Sequence, residues 1–170
     1  IRYAQESRGL GDVYKRQVVT SGAESDGIHV EAFYGDVSIG GTGSVTTTGD
    51  FSTGIFARSQ YGAIDIASAS VASTGVGIDA YASGGVTVDA GTVRTTGDGS
   101  VAIAAGGFNS VAVTADAVST RGTNATGISA ASFGGDVTVD VGSVRVSGTD
   151  SRAIRALGFG CLLYTSDAAD

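Results

Sequence analysis

The sequence predicts an all-β fold: a right-handed parallel β-helix, or β-solenoid, of about six coils with three short strands in each. Three observations predict it. A module recurs at a spacing of 22 to 27 residues, apolar and polar residues alternate with a period of two inside each module, and the breaks between runs fall at glycine. The clearest copy is Gly127-Ile128-Ser129-Ala130-Ala131-Ser132-Phe133-Gly134-Gly135-Asp136-Val137-Thr138-Val139-Asp140.

The first run of each module is an alternating V-x-T-x-G signature: Val18-Thr20-Gly22, Val45-Thr47-Gly49, Val71-Ser73-Gly75, Val93-Thr95-Gly97, Val118-Thr120-Gly122 and Val144-Val146-Gly148. Successive starts differ by 27, 26, 22, 25 and 26 residues. The second run alternates at Ile28-Val30-Ala32, Ile55-Ala57-Ser59, Ile78-Ala80-Ala82, Val101-Ile103-Ala105, Ile128-Ala130-Ser132 and Ile154-Ala156. The third pairs Val37 with Ile39, Ile64 with Ile66, Val86 with Val88, Val111 with Val113 and Val137 with Val139.

One coil cannot bury its apolar faces alone; stacking coils in parallel at about 4.8 Å joins those faces into one core, and six coils make a column roughly 25 to 30 Å long. The right hand follows from the strong bias of parallel crossovers, and the uneven period lacks the hexapeptide repeat of the left-handed form. On this register Ile55, Ile78, Val101 and Ile128 form one inward ladder, faced by Val86, Val88, Val111, Val113, Val137 and Val139. Ile103 points inward and Ala102, one residue along, faces water. The 22-residue module is short at Gly75-Val76 and Ser83-Gly84, where tighter bends are expected.

Composition agrees. The 170 residues hold 28 glycines, no proline, methionine or tryptophan, a single lysine (Lys15) and a single cysteine (Cys161), which excludes an internal disulfide. Small and β-branched residues suit a narrow stacked interior. A net charge of -7 disfavours nucleic acid, whose phosphates need a basic footprint. No run approaches the ~20 apolar residues of a membrane helix, and no signal peptide is visible.

Both ends break the pattern. Residues 1–17 and 161–170 hold the only lysine, the only cysteine and the only Leu-Leu pair, and both strings resemble translated sequencing-adapter read-through. They are expected to be non-native tails that make few specific contacts, leaving 18–160 as the repeat domain and as an internal fragment of a longer protein. Setting aside Arg2, Arg8, Lys15 and Arg16 with Glu6, Asp12, Asp167 and Asp170 leaves six arginines and thirteen acids, so the repeat carries the same -7.

Candidate sites are few. Aromatic residues recur at the corner after the second run, as Phe33, Tyr34, Tyr61, Phe108, Phe133 and Phe159, with none at that corner of the third module. Such a column either covers a corner of the core or packs against the faces of sugar rings, which makes Phe33, Tyr34, Tyr61, Phe108 and Phe133 the carbohydrate-contact candidates. The outward face of the third run is expected to offer Asp36, Asp65, Asp89, Asp136 and Asp140. Asp89 and Asp140 share a column two coils apart, roughly 9 to 10 Å, with Thr114 between them. Paired carboxylates of glycoside hydrolases span such gaps, yet nothing in the sequence is placed to raise one pKa, so no catalytic residue is assigned and the chain is read as a non-enzyme.

His29, the only histidine, is expected on the surface beside Glu31; with no second histidine or cysteine in the repeat, neither a metal site nor a cofactor is expected. Gly40-Gly41-Thr42-Gly43-Ser44 lacks the lysine of a P-loop and the aspartate of a calcium nonapeptide, and is read as a corner. An ice-binding face would need an outward threonine ladder. The outward residues of the first run are mixed instead: Thr46 and Thr48, then Arg94 and Thr96, then Ser119 and Arg121.

The run of T-x-G, G-I-x-A and G-x-V-x-V elements across Val18 to Gly160 resembles the passenger region of bacterial autotransporters and related filamentous surface adhesins, of the filamentous-haemagglutinin kind. That resemblance covers nearly all of the repeat but carries no catalytic motif. It implies a stalk exported through an outer-membrane β-barrel translocator and displayed on, or released from, a Gram-negative cell surface, with surface glycans or proteins as partners. The alternative is a polysaccharide-active β-helix lyase or hydrolase.

Overall fold

The computed structural model describes residues 17–165. Within them the chain forms thirteen strands in two parallel sheets and no helix. In chain order the strands are β1 (Gln17–Thr20), β2 (Ile28–Ala32), β3 (Val37–Thr47), β4 (Ile55–Ser59), β5 (Ile64–Ser73), β6 (Ile78–Ala82), β7 (Val86–Thr95), β8 (Val101–Gly107), β9 (Val111–Arg121), β10 (Thr126–Ser132), β11 (Val137–Ser147), β12 (Arg152–Gly158) and β13 (Leu162–Thr165). Odd strands build a seven-stranded sheet and even strands a six-stranded one, each in sequence order. The chain is a parallel β-solenoid of about six turns.

The three runs of each module are all present, but the third run of one module and the first run of the next are hydrogen bonded as a single long strand. The inward phase changes within that strand. In β9, Val111, Val113 and Ala115 are buried, then Asp116 and Ala117 pass without a buried residue, then Val118 and Thr120 are buried. Pairing skips the same place: β7 and β9 match Ala90 with Ala115 and then Thr92 with Ala117. A two-residue alternation can change phase only at an irregularity, so each long strand turns a corner without losing its ladder. Gly40 and Gly41 fall at the corresponding place in β3, where the register shifts between Ile39 and Thr42; that glycine run is a corner.

Six mainly apolar inward columns fill the centre; one of them, in the odd sheet, is Ser68, Ala90, Ala115 and Val141. Valines 45, 71, 93 and 118 stack in a second; Ile64, Val86, Val111 and Val137 in a third; Ile66, Val88, Val113 and Val139 in a fourth. The other two come from the even sheet and differ in size. Ile55, Ile78, Ile103 and Ile128 form the wide one; Ala57, Ala80, Ala105 and Ala130 form the narrow one.

Two expectations are corrected here. The isoleucine ladder takes Ile103, not Val101, which pairs with Thr126 ahead of it. Ala102 does not face water: it is fully buried. The residue before each ladder isoleucine lies against the next coil. A Cβ on Gly54 would come within 2.5 Å of the Gly77 carbonyl oxygen and of Val71, and one on Gly77 within 2.4 Å of the Ala102 carbonyl oxygen. Ala102 occupies that same inside position in the fourth coil.

Corners are held by side chains that reach from coil to coil. Asp26, Asp36, Asp98 and Asp136 each accept, through Oδ1, the backbone N–H of Thr53, Ala63, Thr123 and Cys161 in the following coil, at 2.7 to 2.9 Å. Ser52 Oγ donates to the Gly22 carbonyl and accepts from Ser25 N–H; Ser151 repeats this with Gly122 and Ala125. The long corner before the even strands also needs one left-handed residue per coil, at Glu24, Phe51, Gly99, Asn124 and Asp150, with φ between 52° and 67°. The short third module omits it.

Of the two expected tails, residues 1–16 and 166–170 lie outside the described residues, including Tyr14. Leu162–Thr165 extends the ladder on β11, with Leu162 opposite Val137 and Tyr164 opposite Val139, and Leu162, Leu163 and Tyr164 remain more than half exposed. The Leu-x-Tyr alternation meets the period of two that the edge of β11 requires.

Candidate functional site

The outward face of the even sheet presents two neighbouring columns. One runs His29, Phe56, Asp79, Ala104, Ser129, Arg155; the other runs Glu31, Arg58, Tyr81, Gly106, Ala131, Leu157. Alternation puts these residues outside because Ile28, Val30 and their equivalents are committed to the core. The upper coils carry bulky and charged side chains. The next two carry glycine, alanine and serine before Arg155 and Leu157 in the last, so the face steps down beneath Tyr81.

That step is a groove of about 300 Å³. Arg58, Gln60, Tyr81, Gly106, Phe108 and Phe133 line it. Gly106 decides its shape. A Cβ there would lie 2.4 Å from the Tyr81 ring, so only glycine lets that ring lie down against the next coil. Phe108 and Phe133 stand at the corner with about 60% and 66% of their surfaces exposed, so they close one side of the groove and contribute little cover to the core.

Phe33, Tyr34 and Tyr61 form a second group. Tyr34 stacks on Tyr61 with centroids 5.3 Å apart and planes 14° apart, and Phe33 meets both edge-on at 4.7 and 5.5 Å. All three are mostly exposed, and the interplay is with one another. The five carbohydrate-contact candidates thus divide into Phe33, Tyr34 and Tyr61 at one end and Phe108 with Phe133 in the groove.

Charges complete the face. His29 Nδ1 lies 2.8 Å from Asp26 Oδ2, its Nε2 lies 3.9 Å from Glu31, and its ring stacks on Phe56 at 4.4 Å. The Arg58 guanidinium carbon stands 5.3 Å from the centre of the same Phe56 ring. Burial pushes the Asp79 carboxyl above its ordinary range; Arg58 works against that shift and Asp26 with it. The Tyr81 phenol is raised by burial and then by Asp79, with Arg58 and Arg155 opposing.

The third-run acids are arranged as a ladder and not as a converging pair. Asp89 and Asp140 both pair with Thr114, so a threonine separates them in one column. Asp140 accepts a hydrogen bond from Thr165 Oγ1 at 2.7 Å, Asp65 pairs with Thr87, and Asp36 and Asp136 are engaged in corner bonds. Among the described residues no three His, Cys, Asp or Glu side chains group as metal ligands. Cys161 is exposed.

Sequence reasoning missed Tyr81 and Phe56. Both are legible in principle, since each follows an inward residue by one position and must face out; their neighbours, contributed by other coils, are not. Compared with family models, with curated proteins and with solved structures, the chain matches none. No helix among the described residues is long and apolar enough to cross a membrane.

Proposed function

We propose that the chain is a non-enzymatic stalk segment of a secreted, cell-surface autotransporter passenger, whose work is reach and display, with adhesion through its exposed aromatic corner as a further role. One observation supports this reading above the others: both sheets pair strand to strand in parallel from the first described coil to the last, with a register shift only between Ile39 and Thr42, so the same faces repeat along a single axis. Roughly six coils at about 4.8 Å give a column some 25 to 30 Å long, and extra coils lengthen it without new design. Exposed phenyl and phenol faces over a small-residue floor suit the apolar faces of sugar rings, with surface glycans or proteins as partners.

The deciding experiment is recovery of the complete reading frame. An export signal upstream and an outer-membrane β-barrel domain downstream are expected; a full-length frame with neither overturns the reading. The competing polysaccharide lyase or hydrolase is settled by assay on acidic polysaccharides. No turnover is expected, and turnover abolished by Asp89→Asn would replace the stalk with an enzyme.

A further inference from the structure

On the odd sheet, outside the aromatic groove, three of the six arginines of residues 18–160 meet on one patch. Ser119 in β9 pairs with Arg94 of β7 on one side and Arg145 of β11 on the other, so the two arginines flank a serine hydroxyl in one outward column. Arg121, two residues beyond Ser119 on the same face, pairs with Ser147. Together these residues line a groove of about 380 Å³.

The clustering runs against the charge of the molecule. Acids outnumber arginines by thirteen to six in this segment, so pairing each arginine with an acid would be easy. Among the described residues, however, the contacts of a basic side chain with a carboxylate within 4.0 Å are those of His29 with Asp26 and Glu31, and none includes Arg94, Arg121 or Arg145. Along the chain the nearest acids are Asp98, four residues from Arg94; Asp116, five from Arg121; and Asp140 and Asp150, each five from Arg145. By strand spacing and rise, Arg121 stands roughly 8 Å from Arg94 and from Arg145, which are roughly 10 Å from each other, so like charges gather and repel near the ~8 Å screening length of physiological salt. An anion held among them turns that repulsion into attraction, and guanidinium forks are suited to tetrahedral oxyanions.

We propose that Arg94, Arg121 and Arg145, with the Ser119 hydroxyl, form a binding site for a compact oxyanion, phosphate or sulfate, free or as a terminal ester. The whole-molecule charge of -7 selects against a long polyanion, which would extend beyond the three arginines into a repulsive field. This assignment stands apart from the stalk reading and survives its failure.

The test is titration of the isotopically labelled chain at constant ionic strength, with chloride as the compensating anion, following backbone amide shifts. Inorganic phosphate, inorganic sulfate and phenyl phosphate are the probes, with a single-stranded oligonucleotide as the polyanion arm. Saturable shifts centred on Ser119, Arg121 and Ser147 are expected, weakened roughly tenfold or more by Arg121→Gln or Arg145→Gln, as loss of a charge-assisted hydrogen bond implies. Arg155→Gln, on the other sheet, should bind as the parent does. Response to the inorganic ions marks a free-anion site; response to phenyl phosphate alone marks an ester site. Absence of saturation, equal weakening by Arg155→Gln, or binding of the oligonucleotide alone overturns the proposal. All three substituted side chains project from the core, and unchanged amide spectra elsewhere establish that each variant is folded.

Discussion

Asp79 shows what one outward residue can cost this fold. Its carboxyl is partly buried between Phe56 and Ala104, and burial raises its pKa above the ordinary value of 3.8. A raised folded-state pKa means the folded chain holds the proton more tightly than the unfolded one. The contribution to stability is therefore complete below about pH 4 and declines as pH rises through the folded value, so the charged form is a burden at neutral pH. Asp79→Asn should raise the denaturation midpoint at pH 7 and leave it nearly unchanged at pH 3. An equal gain at both would dismiss titration as the cause. In the core the test is starker: Ile103→Asp and Ala102→Asp each bury an unpaired carboxylate at a cost of several kcal/mol, whereas Thr87→Asn on the outward face should stay within about 0.5 kcal/mol. Urea denaturation of the three variants checks it, and an Ala102→Asp protein as stable as Thr87→Asn would place Ala102 in water.

Among the elements, the long corners carry a pattern that one coil breaks. The inward hydroxyl closing the first run usually finds a partner nearby: Thr47 Oγ1 donates to Ser73 Oγ at 2.8 Å, and Thr95 lies 3.0 Å from Ser100 Oγ across its own corner. Thr120 Oγ1 is buried without one. Five residues beyond Thr120, where Thr95 has Ser100, the chain has the fully buried Ala125. Ala125→Ser should supply the missing hydroxyl and stabilise the protein by about 1 kcal/mol, the ordinary net worth of a buried hydrogen bond. Thermal denaturation of the variant, alone and combined with Thr120→Val, reads the coupling; a gain that persists without the Thr120 hydroxyl would refute the pairing.

At the scale of the molecule, every interior coil is the template for two others. Ile78 is fully buried between Ile55 and Ile103, so Ile78→Ala removes packing from both neighbours at a cost of about 2 to 5 kcal/mol. Ile154, in the last even strand, is only half-buried and stacks on Ile128 alone among the described residues. Hydrogen exchange should therefore show protection lost in β4, β6 and β8 together for Ile78→Ala, and only a local loss in β10 and β12 for Ile154→Ala. Confinement of the Ile78→Ala effect to β6 would mean that the coils fold independently.

Residue order by itself determined the repeat, the strand alternation and the parallel stacking, because a period of two with valine and isoleucine at one phase is decided within a few residues. It also placed Phe108 and Phe133 at a corner and Asp89, Thr114 and Asp140 in one column. Tertiary structure decided what depends on the length of the corners. Val101 and Ile103 share a phase, and only the ten-residue step from Val93, repeated from Val45 to Ile55 and from Val118 to Ile128, selects Ile103 for the ladder. Ala102 is buried because its position packs against the neighbouring coil, where local alternation predicts exposure. The meeting of Tyr81 with Phe108, and of Arg94 with Arg121 and Arg145, joins residues one or two coils apart. No local pattern encodes that proximity, since it is the register between coils, fixed by core packing along the whole column, that brings such residues together.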